Sequence, residues 1–290
     1  MEVRTMKAGK NKKKVSPRRA RREFDARFEK HSSEMLVLNL SHVYGAINEG
    51  GMCYPRARFI ACADLPAGEM RMENGCLCWI CKSGHWLGGF PPFSGRLKPL
   101  TIYRARVRRE KPKEDGTQSN AYLVERLSPC HKPTKEMAEL RDRLRRPVVI
   151  KDGLGSFTLN RELSQFEGEI DWLGKECSIM LQADEEYGDC ADNALAALHR
   201  ICADVVGWDS RLRAFAAEEL TESANDWRGD EETEEITPES FAQRITLAFI
   251  NIDEEGGISV FFDDDGMFAS HSIHIEGNAD GQLESADLWG

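Results

Sequence analysis

"QFEGEIDWLGKECSIMLQ", residues 165–182, sets the fold class. In its first arm Phe166, Ile170 and Trp172 alternate with Glu167, Glu169 and Asp171, and the second arm alternates in the same way. A period of two belongs to a strand with one buried face. Leu173 and Gly174 sit where a two-residue turn would join the arms. The stretch therefore predicts a β-hairpin with Phe166, Ile170 and Trp172 inward and a row of carboxylates outward.

Beyond the hairpin the period lengthens. Ala191, Ala194, Leu195, Leu198, Ile201, Cys202 and Val205 follow three- and four-residue spacing and predict one helix. Asp209 stands as the N-cap of a second, with Leu212, Phe215, Ala216 and Leu220 as its buried stripe. "TPES" at 237–240 places a threonine cap before a proline, the start of a short third helix. "RITLAFINI", "GISVFF" and "MFASHSIHIEG" then read as an antiparallel meander turning at "DEEGG" and "DDDG". Residues 155–290 are thus expected to form an α+β domain, an antiparallel sheet with two to three helices packed on one face.

Upstream, "MLVLNL", "ARFIACADL", "CLCWICKS", "LTIYRARVRRE" and "AYLVERL" are strand-like runs between Gly, Pro, Asn and Asp clusters. About five short strands predict a small mainly-β domain over 35–133, a barrel or half-open sheet of OB-like or SH3-like size. Residues 134–154 read as a helical linker: Thr134 caps it, Met137, Leu140 and Leu144 share a face, Glu139 can pair with Arg143, Pro147 stops it, and "KDGLG" marks the boundary. Residues 1–34 read as a basic, disordered tail followed by a short helix with Phe24 and Phe28 on one side.

The 290 residues are 41% hydrophobic and 30% charged, the usage of a globular chain. No apolar run approaches the length of a membrane span, and the basic start has no apolar run behind it, so neither a membrane partner nor a secretory signal is expected. Nine irregularly spaced cysteines, an odd number, suit a reducing cytoplasm with free thiols. The net charge of −10 hides an asymmetry: 32 Lys and Arg against 17 Asp and Glu up to Asp152, then 7 against 32.

"FTLNRELSQFEGEIDWLGKECSIML", "TPESFAQRITLAFINID" and "FFDDDGMFASHSIHIEGNADGQLESADLWG" together resemble the bacterial domain-of-unknown-function family 2262 over about residues 155–290. The most specific parts are "FEGEIDWLG" and "HSIHIEGNADGQLESADLWG". The resemblance implies a bacterial origin and a domain boundary, and it names no catalytic residue. The first half is similar to the small β domain that can precede that family.

Three groups of residues invite chemistry. Cys78, Cys81 and His85 have C-x2-C-x3-H spacing that suits three zinc ligands, with Cys53, Cys62 or His42 as a fourth, but no second knuckle follows. A redox pair lacks the expected helix after the cysteines, and the plain reading is a strand and turn with packed thiols. Cofactors are therefore expected to be none, zinc being the alternative. Glu167, Glu169 and Asp171 form a carboxylate row, most simply the solvated side of a sheet. His271 and His274, three apart on a strand, point to opposite faces, whereas His274 shares a face with Glu276. Arg104, Arg106 and Arg108 flank Tyr103 and offer a phosphate-tracking strand.

"GEIDWLGKE" has the outline of a P-loop, but its glycines are wrongly spaced and Glu176 replaces the magnesium-binding hydroxyl. The triple aspartate 263–265 suits a turn better than a calcium loop. GxGxxG, GxSxG and HExxH are all absent. The expectation is a non-catalytic protein-binding module whose acidic C-terminal domain takes a basic protein partner, as immunity proteins of toxin nucleases do. The alternatives are nucleic-acid binding through the basic half and an enzyme of unassigned reaction.

Overall fold

The computed structural model describes residues 16–44, 52–66, 68–82, 97–113, 115–185, 188–228, 234–269 and 271–290. The chain divides into two compact units, Met1–Arg146 and Pro147–Gly290.

In the first unit, α1 (Pro17–Ala26) starts as its sequence dictates: the Ser16 side chain accepts from the Arg19 N–H, and Pro17 takes the first turn, where its missing N–H costs nothing. Strands β1 (Ser33–Asn39), β2 (Met52–Cys53), β3 (Arg56–Asp64), β4 (Arg71–Cys78), β5 (Cys81–Lys82), β6 (Thr101–Arg109) and β7 (Ala121–Pro129) follow, then α2 (Lys135–Leu144). The five long strands close on themselves in the order β1-β3-β4-β7-β6. Of the two arrangements the sequence allowed, the barrel is the one formed. Every pair is antiparallel except β4–β7, which runs parallel for three residue pairs, Cys76–Cys78 with Ala121–Leu123.

Alternation sends Val37, Phe59, Leu77, Tyr103, Ala105 and Val107 into the barrel. Gly75 is required opposite Phe59, because a Cβ there would fall 2.0 Å from the ring's Cζ. Outside the short parallel seam, Cys78 and Leu123 are covered by Phe24 and Phe28. Burying each of those rings stabilises the closure by about 1.5–3 kcal/mol. Helix α1 ends at Ala26, before Phe28, yet the two rings still pack at 5.3 Å. The tail expected to be disordered falls, up to residue 15, outside the described residues.

One boundary and one ion pair differ from the sequence reading. The division falls at Arg146/Pro147, and "KDGLG" is the turn joining β8 (Val149–Lys151) to β9 (Ser156–Asn160), both within the second unit. Asp152 drives that turn by accepting the Leu154 N–H at 3.0 Å. In α2, Thr134 does cap the helix, but Glu139 pairs with Lys135 at 3.7 Å rather than with Arg143.

The second unit continues with β10 (Gln165–Trp172), β11 (Lys175–Gln182), α3 (Asp192–Cys202), α4 (Val205–Trp227), α5 (Pro238–Arg244), β12 (Thr246–Ile252), β13 (Gly257–Asp263), β14 (Ser272–Asn278) and β15 (Leu283–Trp289). One eight-stranded sheet holds them in the order β15-β14-β13-β12-β11-β10-β9-β8. The β10–β11 hairpin forms as predicted, with Leu173 and Gly174 both at positive φ in the turn. Only β11–β12 is parallel, since the three helices intervene there and return the chain in the same direction.

The predicted helix through Val205 is broken at residues 203–204, and Asp204, not Asp209, caps α4 by accepting the Gly207 N–H at 3.0 Å. Thr237 caps α5 in a reciprocal capping box with Ser240. Core residues of the helices, among them Leu198, Leu212, Ala216 and Phe241, pack with Phe166, Ile170, Trp172, Ile250, Val260 and Ile275 on one sheet face. No described helix is long and apolar enough to cross a membrane.

Candidate functional site

The opposite face of the eight-stranded sheet is lined by the residues that alternate with this core. Register fixes a transverse row: Asp287 lies beside His274, His274 beside Phe261, Phe261 beside Phe249, Phe249 beside Ser178 and Ser178 beside Glu169. Two groups that the sequence offers separately, the carboxylates of β10 and the His274–Glu276 pair of β14, thus share one surface. They flank it from opposite sides, with β11, β12 and β13 between them. At about 4.8 Å per strand that separation, about 19 Å, is too wide for a two-carboxylate or His-carboxylate catalytic pair.

Between them is an aromatic stack. Phe249 and Phe261 lie ring on ring at 4.2 Å, Phe261 and His274 at 4.4 Å, and Trp289 closes edge-on to Phe261 at 5.4 Å. Offset contacts of this kind are worth about 0.5–1.5 kcal/mol each beyond area burial. Phe261 is only 7% exposed beneath its neighbours, while Trp289 is 64% exposed at the rim. Phe249 and Phe261 belong to no part of the helix-side core. His274 Nε2 lies 3.9 Å from Glu276 Oε1, and His271 is on the other side of the sheet, its Nδ1 2.8 Å from the Phe268 carbonyl and its ring against Trp227. Glu167 accepts from Asn160 Nδ2 at 2.8 Å, whereas Glu169, Asp171, Glu276 and Asp287 are exposed.

The second unit carries 8 Lys and Arg against 33 Asp and Glu. On the open face its acidic groups surround an apolar centre. That arrangement can accept a cationic chain: the rings take aliphatic stems and cation–π contacts, and the flanking carboxylates take the charged heads.

The arginine strand predicted to track phosphate is differently placed. Arg104 is bound by Glu34, Arg106 lies 3.4 Å from Glu125, and Arg108 is held by Asp25 and, at 3.1 Å, by Glu125. The hydrogen bond and charge of Arg104 hold Glu34 below its ordinary range. These three arginines form a ladder with carboxylates of α1, β1 and β7, so their charge is already satisfied locally.

The cysteine motif is split by the barrel wall. Cys78 points outward beneath α1 and its thiol donates to the Tyr122 carbonyl at 3.4 Å, while Cys81 packs into the inner core with Cys53. Burial pushes both thiols up, which keeps them protonated packing groups. Cys62 also points inward and donates to Glu73 at 3.2 Å. His85 lies outside the described residues. Among the described residues the one cluster with metal-ligand spacing is Asp184, Cys190 and Asp192, an exposed group in which Asp184 already accepts the Asp192 and Asn193 N–H groups at the start of α3.

Sequence reasoning missed the aromatic stack. Phe249 and Phe261 looked like ordinary strand residues and Trp289 lies beyond the predicted meander; the signal available was their register across four strands, which requires knowing the strand order.

Residues 151–288 match the sequence model of the family described as "Uncharacterized protein conserved in bacteria (DUF2262)", and residues 20–141 match that of "Domain of unknown function (DUF7021)". The C-terminal unit is thus a DUF2262 domain, as its motifs suggested, and the barrel carries a separate family signature. A search of curated proteins returns no match. Among solved structures, a candidate 6-phosphogluconolactonase from Bacteroides uniformis aligns at 10% identity over 89% of this chain and 68% of its own, with a TM-score of 0.13. That score supports no inference about fold or activity.

Proposed function

We propose that the DUF2262 domain is a non-catalytic protein-binding module and that its open sheet face takes a basic polypeptide segment. The observation behind this reading is the register row Asp287–His274–Phe261–Phe249–Ser178–Glu169, an aromatic centre with carboxylates at both ends. Acidic groups at the rim speed encounter with a cationic partner and set its orientation, while the half-buried Phe249 and the exposed Trp289 supply the apolar contact that holds it. Trp289 is the natural anchor, being large, aromatic and 64% exposed.

The test is a titration of the isotope-labelled full chain with a synthetic peptide of alternating lysine and valine at low salt. Chemical shifts are expected to move at Phe249, Phe261, His274 and Trp289, and binding is expected to fall in Trp289→Ala and in Glu169→Gln/Asp287→Asn. Neutralising Glu218 and Glu222, exposed on α4 at the helix side of the sheet, should leave it unchanged. Equal loss from the α4 pair would reduce the effect to net charge and remove the proposal.

A further inference from the structure

The barrel has its own unassigned surface. Numbering only its five long strands, the order is 1-2-3-5-4 with strands 3 and 5 parallel, the arrangement of an OB barrel. In such barrels the outward face of strands 2 and 3, here β3 and β4, is where extended ligands lie.

The outward side chains there are Arg56 and Arg58 on β3, opposite Cys78 and Cys76 on β4. Tyr44 forms a β-bridge with Arg56, their N–H and C=O groups exchanged at 2.9 and 3.0 Å. Its hydroxyl nonetheless reaches the Cys76 thiol, on the far side of β3, at 4.0 Å. The phenol ring therefore crosses the outer face of β3 between the two arginines. Tyr44 remains 40% exposed. Burial and Cys76 raise its pKa to about 12 against the pull of Arg58 and Arg56, so the ring is neutral at physiological pH.

This face differs from the β6 arginine strand in what it offers. Each of Arg104, Arg106 and Arg108 has a carboxylate partner. Arg56, by contrast, is exposed with no carboxylate paired to it among the described residues. The unit as a whole holds 31 Lys and Arg against 16 Asp and Glu. An exposed ring that crosses a strand between two cations can stack a base while the cations neutralise the phosphates on either side of it. A duplex hides its bases and cannot use such a ring.

We propose that the outer face of β3, through Tyr44, Arg56 and Arg58, binds single-stranded nucleic acid. This inference stands apart from the protein-binding reading, since it concerns the other unit and a ligand of opposite charge.

The test is fluorescence anisotropy of the full chain with short labelled oligothymidylate, oligouridylate and a duplex of equal length, across a salt series. Binding to the single strands is expected to weaken linearly on a log–log salt plot. Arg56→Ala/Arg58→Ala should lower affinity about tenfold or more and flatten the slope by about 1.4, two contacts at about 0.7 each. Tyr44→Ala should cost about fivefold or more without changing the slope, and Tyr44→Phe should restore binding, because stacking needs the ring and not the hydroxyl. Arg104→Ala/Arg106→Ala removes the same charge and should change little.

Preference between the two oligonucleotides identifies DNA or RNA as the ligand source. The proposal is overturned by no binding at low salt, by duplex binding as tight as single-strand binding, or by Arg104→Ala/Arg106→Ala costing as much as Arg56→Ala/Arg58→Ala. Circular dichroism melts keep loss of fold separate from loss of contact.

Discussion

His274 stacks on Phe261 across the β13–β14 pair, ring centroids 4.4 Å apart and planes 28° from parallel. The contact joins the two halves of the open face: Phe261 passes it on to Phe249, and His274 reaches Glu276 on its own strand. A titratable group is thereby built into an otherwise apolar stack.

Stability and binding should separate along this stack. Phe261 is 7% exposed and touches Phe249, His274 and Trp289, so Phe261→Ala opens a gap no neighbour can fill. It is expected to destabilise the C-terminal unit by about 2–3 kcal/mol, below a two-sided core site because one side faces solvent. Trp289, 64% exposed, should cost only about 0.5–1 kcal/mol on change to alanine while lowering capture of the lysine–valine peptide. Urea unfolding of both variants checks the first claim, and the same titration as above the second.

The α+β class, the hairpin and the buried stripes of the helices were legible because burial there follows local period. Phe166, Ile170 and Trp172 are inward as their alternation requires, and Met137, Leu140 and Leu144 are buried along α2. What the period does not contain is pairing. Strand β15, "LESADLW", puts only Leu283, Ala286 and Leu288 toward the helices and lies outside the predicted meander; its place shows only once β14 is beside it. Arg104, Arg106 and Arg108 looked like free cations because Glu34, Asp25 and Glu125, their partners, come from other parts of the chain. Asp209 looked like a cap since it precedes an apolar stripe; Asp204 does that work five residues earlier.

Glu73 should make the barrel acid-sensitive. Its Oε1 accepts from the Tyr122 hydroxyl at 2.5 Å, and its Oε2 accepts from Arg71 Nε at 3.0 Å and from the Cys62 thiol at 3.2 Å. Burial alone would raise its pKa, but these three donors outweigh it and hold the carboxyl below its ordinary 4.5. A depressed folded value contributes stability that is fully present above the unfolded pKa and is lost as pH falls through the folded one. Denaturation of the barrel is therefore expected to steepen below about pH 4.5. Glu73→Gln should lose about 1–2 kcal/mol at pH 7 and show a shallower decline in acid, measured by urea midpoints across pH. Parallel curves for the two proteins would assign the acid transition to other carboxylates.

Asp209 ties the sheet to two helices, and its loss should be the costliest single change in the C-terminal unit outside the apolar core. Its Oδ1 accepts from Trp172 Nε1 at 3.0 Å and its Oδ2 from Arg213 Nε at 2.7 Å. Arg213 in turn donates to the carbonyls of Ala242, at 2.9 Å, and Ile245, and lies over the Phe262 ring. Asp209→Ala leaves a mostly buried guanidinium and a buried indole N–H without their acceptor, an expected cost of about 2–4 kcal/mol. Asp209→Asn keeps a carbonyl oxygen for Trp172 but no charge for Arg213, so it should lose about half as much. Because Trp172 is the reporter, its fluorescence should shift in the alanine variant before global unfolding. A variant as stable as the parent would show that Arg213 is held by the two carbonyls alone.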